Sequence, residues 1–201
     1  MEHLREFVSV VKGALTGEAV DFEGKRFTVH GRLAYSGEVP VMISALRERS
    51  FELAGELADG AITWVCPAPY LRRVALPALE RGATRERRPV PPLVAHAFLC
   101  LTPDRDAMRE AANRGMAAYP RLPNYLAMFE AAGFPEAREG TWSDPMLDEV
   151  LIWGEERQAG ESVQRFLETS GAERLILSIL PPPGEDREAA TRRSLGWVAT
   201  L

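Results

Sequence analysis

The chain has 201 residues, of which 46% are hydrophobic and 26% charged, a balance typical of a globular protein with a sizeable core. Its 24 basic and 29 acidic residues give a net charge of −5, which argues against a nucleic-acid binder. Cys66 and Cys100 are far apart and form no CxxC pattern, so we expect neither a disulfide framework nor a structural zinc site. No apolar run approaches the ~20 residues of a membrane span and the first residues are charged, so we expect a cytoplasmic protein without membrane partners.

The first half of the chain alternates apolar strands with amphipathic helices. Apolar residues recur at helical spacing over 4–15, and the segment 20–31 alternates in the manner of a small hairpin. The nearly continuous apolar run 39–46 predicts a strand buried on both faces, and it leads directly into a helix that stops near Gly60. A second buried strand over 61–65 and a helix over roughly 69–82 follow.

The second half continues the alternation. We predict strands over 92–101 and 174–180, a helical region over 104–132 broken near Pro120 and Pro123, an irregular stretch over 134–145, and helices over 144–154, 155–170 and 187–200. This order predicts one α/β domain over residues 1–201, in which parallel strands are covered by helices. Four such strands cannot close a (β/α) barrel, which needs eight, so the sheet is either open and covered or part of something larger.

Several chemical signatures are absent or have a simpler explanation. The chain contains no GxGxxG, P-loop, GxSxG or HExxH motif, and its histidines lack metal-ligand spacing, so we expect no bound metal. His96 lies mid-strand and is interpreted as a satisfied core histidine rather than a catalytic one. Cys66 ends a strand and is interpreted as a small packing residue rather than a pocket wall. Asp144 and Asp148 fall at a helix start, where carboxylates stabilise the helix dipole.

One segment, residues 44–49, suggests a binding site. A buried strand meets a helix N-terminus there, so free backbone N–H groups would suit a phosphate, with Arg47 or Arg49 adding a bidentate contact. Trp64 ends the next strand on the same rim, where its indole would flank a flat ring. The alternative interpretation has the arginines pointing to solvent and Trp64 packed in the core. The residues alone leave both open.

Five segments carry a family resemblance: GALTGEAVDFEGKRFTVHGR, VPVMISALRERSFELAGELADGAITWV, YLRRVALPALERGA, PLVAHAFL and ERLILSIL. They resemble the C-terminal part of luciferase-like monooxygenases, and more narrowly the bacterial LLM-class oxidoreductases that depend on a flavin or on the deazaflavin coenzyme F-420. The resemblance implies a TIM-barrel type fold, of which this chain holds about half as four strands with covering helices. It also implies an oxidoreductase or monooxygenase acting on a small molecule, with FMN or coenzyme F-420 as cofactor. The resemblance does not specify the substrate, which of the two cofactors is used, or whether oxygen is incorporated into the product.

The resemblance also implies which residues contact the cofactor: Ser44, Ala45, Leu46, Arg47, Thr63, Trp64 and Cys66. It points to no catalytic acid or base, and many members carry glycines where this chain has Leu46 and Arg47. As a truncated half-barrel, the chain is expected to form a homodimer or to need the missing half. The alternatives are a non-catalytic flavin-binding or structural half-barrel that dimerises, and an inactive fragment.

Overall fold

The computed structural model describes residues 1–34, 36–37 and 39–200. Nine helices occur in these residues, and in chain order they are α1 (Glu2–Leu15), α2 (Glu48–Leu57), α3 (Ala68–Tyr70), α4 (Leu76–Arg85), α5 (Arg105–Gly115), α6 (Pro123–Ala132), α7 (Asp144–Val150), α8 (Glu156–Ser170) and α9 (Arg187–Val198). The strands there are β1 (Val20–Glu23), β2 (Thr28–Gly31), β3 (Met42–Ser44), β4 (Gly60–Ile62), β5 (Leu93–Cys100), β6 (Leu151–Trp153) and β7 (Arg174–Ile179). A short π-helix (Leu71–Ala75) and two 3₁₀ helices (Tyr119–Arg121 and Pro135–Glu139) complete the regular structure of the described residues.

Two compact units make up the chain, one of residues 1–62 and 75–92 and the other of residues 63–74 and 93 onwards. In the first unit β1 and β2 form the predicted antiparallel hairpin, and β3 pairs with β4 in parallel. In the second unit β5 pairs in parallel with both β6 and β7. The predicted α/β class with parallel strands is therefore confirmed, whereas the single domain stays a prediction.

The hairpin of the first unit is tied to α1 by a buried carboxylate. Glu6 accepts the backbone N–H groups of Lys25, Arg26 and Phe27 at 3.0, 2.8 and 3.0 Å. Burial acts to raise the pKa of Glu6, but these three donors hold that pKa below its ordinary value. A turn of charged sequence is thus fixed by a side chain 19 to 21 residues away.

Helices α2 and α4 of the first unit touch through two glycines. Gly55 lies against the Leu79 carbonyl and Gly82 against the Glu52 carbonyl, so closely that a Cβ at either position would overlap with the oxygen. Phe51 of α2 and Leu79 of α4 are completely buried. The sequence predicts α2 by its apolar stripe, but the backbone contact depends on two residues without side chains.

The second unit corrects one sequence prediction and extends another. The helix predicted over 144–154 ends at Val150, and Leu151–Trp153 forms β6 instead, because these residues pair with Phe98–Cys100 of β5. Asp144 does begin a helix, but its carboxylate also binds two arginines of α5: the Arg105 Nη1 at 3.0 Å and the Arg109 guanidinium. This pairing lowers the pKa of Asp144 to about 2. The carboxylate therefore links α7 to α5 as well as serving the helix dipole.

Strand β7 is unusually exposed for a parallel strand. None of its residues is buried, and Ile176 keeps 38% of its surface accessible. Parallel strands are normally covered on both faces. By contrast, seven of the eight residues of its neighbour β5 are buried. Among the described residues, no helix is long and apolar enough to cross a membrane, and no cluster of three His, Cys, Asp or Glu side chains is placed to hold a metal.

Candidate functional site

Ser44, Ala45, Leu46 and Arg47 lie in the first unit, where β3 ends and α2 begins. The Ala45 N–H donates to the Ile62 carbonyl at 2.9 Å, which extends the pairing of β3 with β4 by one residue. Ala45 is buried, Leu46 is half-buried, and both Ser44 and Arg47 are exposed. The predicted contact segment therefore presents Ser44 and Arg47 outward from a fixed backbone.

Two of the backbone N–H groups expected to be free for a phosphate, those of Leu46 and Arg47, are already hydrogen-bonded. Ser50 Oγ accepts the N–H of Leu46 and the N–H of Arg47, each at 3.1 Å, and donates to the Arg47 carbonyl at 2.6 Å. The serine at the third position of α2 thus occupies two of the N–H donors that the sequence leaves available. Among the described residues, the exposed Arg47 and Arg49 side chains form no ion pair, so cationic groups remain at this end of the helix.

Thr63, Trp64 and Cys66 lie in the second unit, on a turn that directly follows β4. The Thr63 N–H donates to the Val94 carbonyl at 2.9 Å. Val65 has a φ of 55°, a left-handed conformation that strains a β-branched residue. Its N–H donates to His96 Nδ1 at 3.4 Å. The strained turn is thus held on one side by the backbone of β5 and on the other by a side chain of that strand.

The Trp64 indole forms the aromatic surface of this turn. It stacks on the His96 imidazole with ring centroids 3.6 Å apart and an interplanar angle of 16°. Its Nε1–H donates to the Tyr119 hydroxyl at 2.7 Å. The indole remains half-exposed, so its orientation is fixed at two points while part of its surface stays accessible.

His96 is the satisfied core histidine that the sequence predicts. It is completely buried, and burial lowers its pKa to about 4. Because Nδ1 accepts the Val65 N–H, Nε2 carries the proton and donates to Ser178 Oγ at 2.9 Å. Both ring nitrogens are occupied and the ring is neutral, so His96 orients the turn and is not available as an acid or base.

Cys66 and Thr63 are buried beneath the turn. Burial raises the pKa of the Cys66 thiol to about 12, which agrees with the interpretation of Cys66 as a packing residue. The Thr63 side chain is 1% exposed. Within the described residues, its hydroxyl has no hydrogen-bond partner beyond a marginal interaction with the Cys66 thiol. The Thr63 hydroxyl is therefore a buried donor in a predicted contact segment, and it forms no full hydrogen bond with the described residues.

The aromatic group around Trp64 includes residues that the sequence analysis did not connect to it. Tyr119 lies in the break between α5 and α6, with its ring 6.2 Å from Phe98 and 5.0 Å from Tyr125. Burial raises the pKa of Tyr125 well above its ordinary value. The sequence marks Tyr119 only by the predicted helix break near Pro120. The hydrogen bond between Trp64 and Tyr119 joins residues 55 positions apart and leaves no local pattern.

The two predicted segments therefore belong to different units, and their joint contact with one cofactor stays a prediction. The first unit presents an exposed, positively charged helix start at Arg47. The second unit presents the rigid Trp64 indole on a strained turn, with the unpaired Thr63 hydroxyl buried beneath it. In (β/α) folds the loops after the strands are where ligands bind.

Curated proteins of known activity match part of the chain by sequence. By sequence it is 29% identical over 107 residues to the 5,10-methylenetetrahydromethanopterin reductase of Methanolobus tindarius, covering 52% of this chain and 32% of that protein. It is 36% identical over 89 residues to the F420-dependent glucose-6-phosphate dehydrogenase of Nakamurella multipartita, covering 42% of this chain and 26% of that protein. The matched regions thus span only about a third or less of these curated relatives.

Solved structures show the same fold. An F420-dependent secondary alcohol dehydrogenase in complex with an F420–acetone adduct superposes with a TM-score of 0.72 at 20% identity, covering 88% of this chain and 55% of that one. A type II Baeyer-Villiger monooxygenase of Pseudomonas putida in complex with FMN gives a TM-score of 0.63 at 17% identity, covering 96% and 60%. The family profile described as luciferase-like monooxygenase matches residues 1–174. The chain therefore belongs to the luciferase-like monooxygenase family, as the resemblance of its sequence implies.

Proposed function

We propose that this chain binds a reduced deazaflavin or flavin cofactor and takes part in oxidoreductase chemistry on a small molecule, with coenzyme F-420 favoured over FMN. The Trp64 indole, fixed by His96 and Tyr119, is the observation that carries the proposal. A half-exposed indole with a fixed plane suits the tricyclic ring that both cofactors share. The preference for coenzyme F-420 is supported by the Nakamurella relative, whose name specifies F420.

The residues present fit such a group in chemical terms. Trp64 would lie against the ring, and the exposed Arg47 and Arg49 carry the charge that suits the phosphate of such a cofactor. The Thr63 hydroxyl is buried beneath the turn, so its contact with the ring stays a prediction of the resemblance. The phosphate would be held by side chains rather than by the backbone of residues 46 and 47, because Ser50 occupies those N–H groups. When bound, the cofactor supplies hydride transfer or oxygen activation. The chain supplies binding and orientation.

No group of the Trp64 turn is suited to move a proton near neutral pH. His96 stays neutral because its pKa is about 4, and Cys66 stays a thiol because its pKa is about 12. We therefore assign Trp64, Thr63 and His96 to binding and positioning, and place the acid and base of the reaction outside this turn.

The proposal includes a partner that covers β7. An apolar parallel strand without one buried residue is an open surface, and Ile176 is its most exposed apolar side chain. A second copy of the chain, or a chain that supplies further strands of a barrel, would bury it. Ile176→Lys should leave the monomer folded, because the side chain already faces solvent, while weakening association. Analytical ultracentrifugation of both proteins tests this, and a monomeric wild type contradicts the homodimer.

A fluorescence titration tests the central proposal. The purified, desalted chain is titrated separately with reduced and oxidised coenzyme F-420 and FMN, while cofactor emission and tryptophan emission are followed. We expect saturable micromolar binding, tighter for coenzyme F-420. Absence of binding by either cofactor contradicts the proposal, and tighter binding of FMN contradicts the preference.

A non-catalytic flavin-binding protein is the second candidate. It is favoured by one observation, the lack of an available proton donor or base at the Trp64 turn. Reoxidation of the bound reduced cofactor by a panel of small carbonyl compounds and by oxygen separates the two. Binding without turnover supports the second candidate. The two free, buried cysteines suit the reducing cytoplasm, which we propose as the location.

A further inference from the structure

A cavity of about 390 Å³ opens in the second unit, and none of residues 63–66 of the Trp64 turn lines it. It lies between the end of α7 with β6 and one face of α8, and the residues of α8 that line it recur at helical spacing: Ser162, Arg165, Phe166 and Thr169. Its volume is within the range of small-molecule sites. Nothing in the proposed cofactor binding uses this cavity.

The cavity has an apolar floor and a fixed aromatic wall. Leu151, Ile152 and Phe166 line it while being 3, 4 and 7% exposed. The Trp153 indole forms a wall, with the Arg105 guanidinium 4.9 Å above its ring centre. The Trp153 Nε1–H also donates to Asp148 Oδ1 at 3.2 Å. An apolar body of a ligand would therefore meet a preformed surface.

The charges on the rim of the cavity do not all cancel. Arg105 Nη2 lies 3.2 Å from Asp148, so these two lining groups satisfy each other. Arg165 and Glu149 line the same cavity, and within the described part of the chain neither side chain has an ion pair or hydrogen bond. Burial, with the charge of Asp148, raises the pKa of the half-buried Glu149. One cation and one anion thus lie on one cavity without partners.

We propose that this cavity binds a small zwitterion with an apolar body, of the class of hydrophobic α-amino acids. Its carboxylate would pair with Arg165, its ammonium group with Glu149, and its side chain would lie on Phe166, Ile152 and the Trp153 wall. A ligand with a single charge leaves either the exposed Arg165 or the half-buried Glu149 unpaired. The bound ligand would displace water from that unpaired charge, which weakens binding. Specificity for a zwitterion follows from this arrangement.

Isothermal titration calorimetry with three probes of similar shape tests the proposal. L-phenylalanine carries both charges, 3-phenylpropionate only the carboxylate, and 2-phenylethylamine only the ammonium group. We expect L-phenylalanine to bind at least about tenfold more tightly than either analogue. No binding of L-phenylalanine at millimolar concentration overturns the proposal, and so does equal binding of 3-phenylpropionate or 2-phenylethylamine.

Five variants show whether the cavity is the site. Arg165→Gln and Glu149→Gln should each weaken binding of L-phenylalanine about tenfold, whereas the exposed controls Arg187→Gln and Glu173→Gln should not change it. Circular dichroism confirms that each variant is folded, and Arg165→Lys should retain part of the affinity if a folded Arg165→Gln loses it. Unchanged binding by both cavity variants overturns the assignment. No cofactor is present, so the result is independent of the proposed cofactor binding.

Discussion

The Trp64 indole lies flat on the His96 imidazole, with centroids 3.6 Å apart and planes 16° from parallel. The same imidazole accepts the N–H of Val65, the strained residue that follows Trp64. One buried side chain therefore fixes both the plane of the indole and the backbone that carries it. A site that must present a ring at a fixed angle gains from such support, since a ligand then does not have to order it.

The lowered pKa of His96 predicts a loss of stability in weak acid. The unfolded chain takes up a proton near pH 6.5, whereas folded His96 does so only near pH 4. The contribution of neutral His96 to the free energy of unfolding is therefore fully present above pH 6.5 and is lost as the pH falls toward 4. We expect the free energy of unfolding to fall by about 2 kcal/mol between pH 7 and pH 5, as measured by urea unfolding.

His96→Phe is the control for that prediction. It keeps a flat ring under Trp64 and cannot titrate, so the difference in unfolding free energy between pH 7 and pH 5 should shrink by about the same 2 kcal/mol. His96→Asn should also remove the pH dependence, while its side-chain oxygen can still accept the Val65 N–H. An equal pH dependence in all three proteins contradicts the account of His96.

Much of this fold is predictable from the sequence because it depends on local periodicity. The apolar run 92–101 and the helices around it are recognisable without a structure, and β5 and α5 occur where they are expected. The misassigned β6 shows the limit, since Leu151–Trp153 is a strand only through its partners in β5. The contact of Trp64 with Tyr119, and the capture of two N–H groups by Ser50, depend on side-chain positions that no spacing rule specifies.

The two glycines between α2 and α4 predict a sharp sensitivity to an added methyl group. Gly55→Ala and Gly82→Ala should each lower the unfolding free energy by about 2 kcal/mol or more, because the new Cβ meets a carbonyl oxygen. Gly196→Ala is the matched control, since nothing lies within 4 Å of a Cβ there and alanine favours a helix. A stability of Gly55→Ala at or above that of Gly196→Ala contradicts the close packing.

The two thiols should be inert in the folded chain. Burial raises the pKa of Cys66 to about 12 and that of Cys100 to about 11, so neither forms a thiolate at pH 8. We expect no reaction with a disulfide reagent until denaturant is added, and then two equivalents. In His96→Phe, Cys66 should react faster than Cys100, because the substitution removes the hydrogen bond between the Val65 N–H and His96. Rapid labelling of native wild type contradicts the burial of the turn.

Arg47 and Arg49 should contribute electrostatically if they face a phosphate. Arg47→Gln with Arg49→Gln should weaken binding of coenzyme F-420 about tenfold and reduce its dependence on salt. Arg32→Gln with Arg187→Gln, at two exposed arginines, controls for the same change in net charge. Equal affinities in the double variant and the control, measured at low and high salt, contradict the assignment of these arginines.

The most direct test of the central claim compares coenzyme F-420 binding by wild type, Trp64→Phe and Trp64→Leu in one titration. We expect micromolar binding by wild type, a small loss for Trp64→Phe because a ring remains, and at least about tenfold weaker binding for Trp64→Leu. Circular dichroism verifies that each variant is folded. An unchanged affinity in folded Trp64→Leu would contradict the claim that the indole on His96 is the surface on which the cofactor rests.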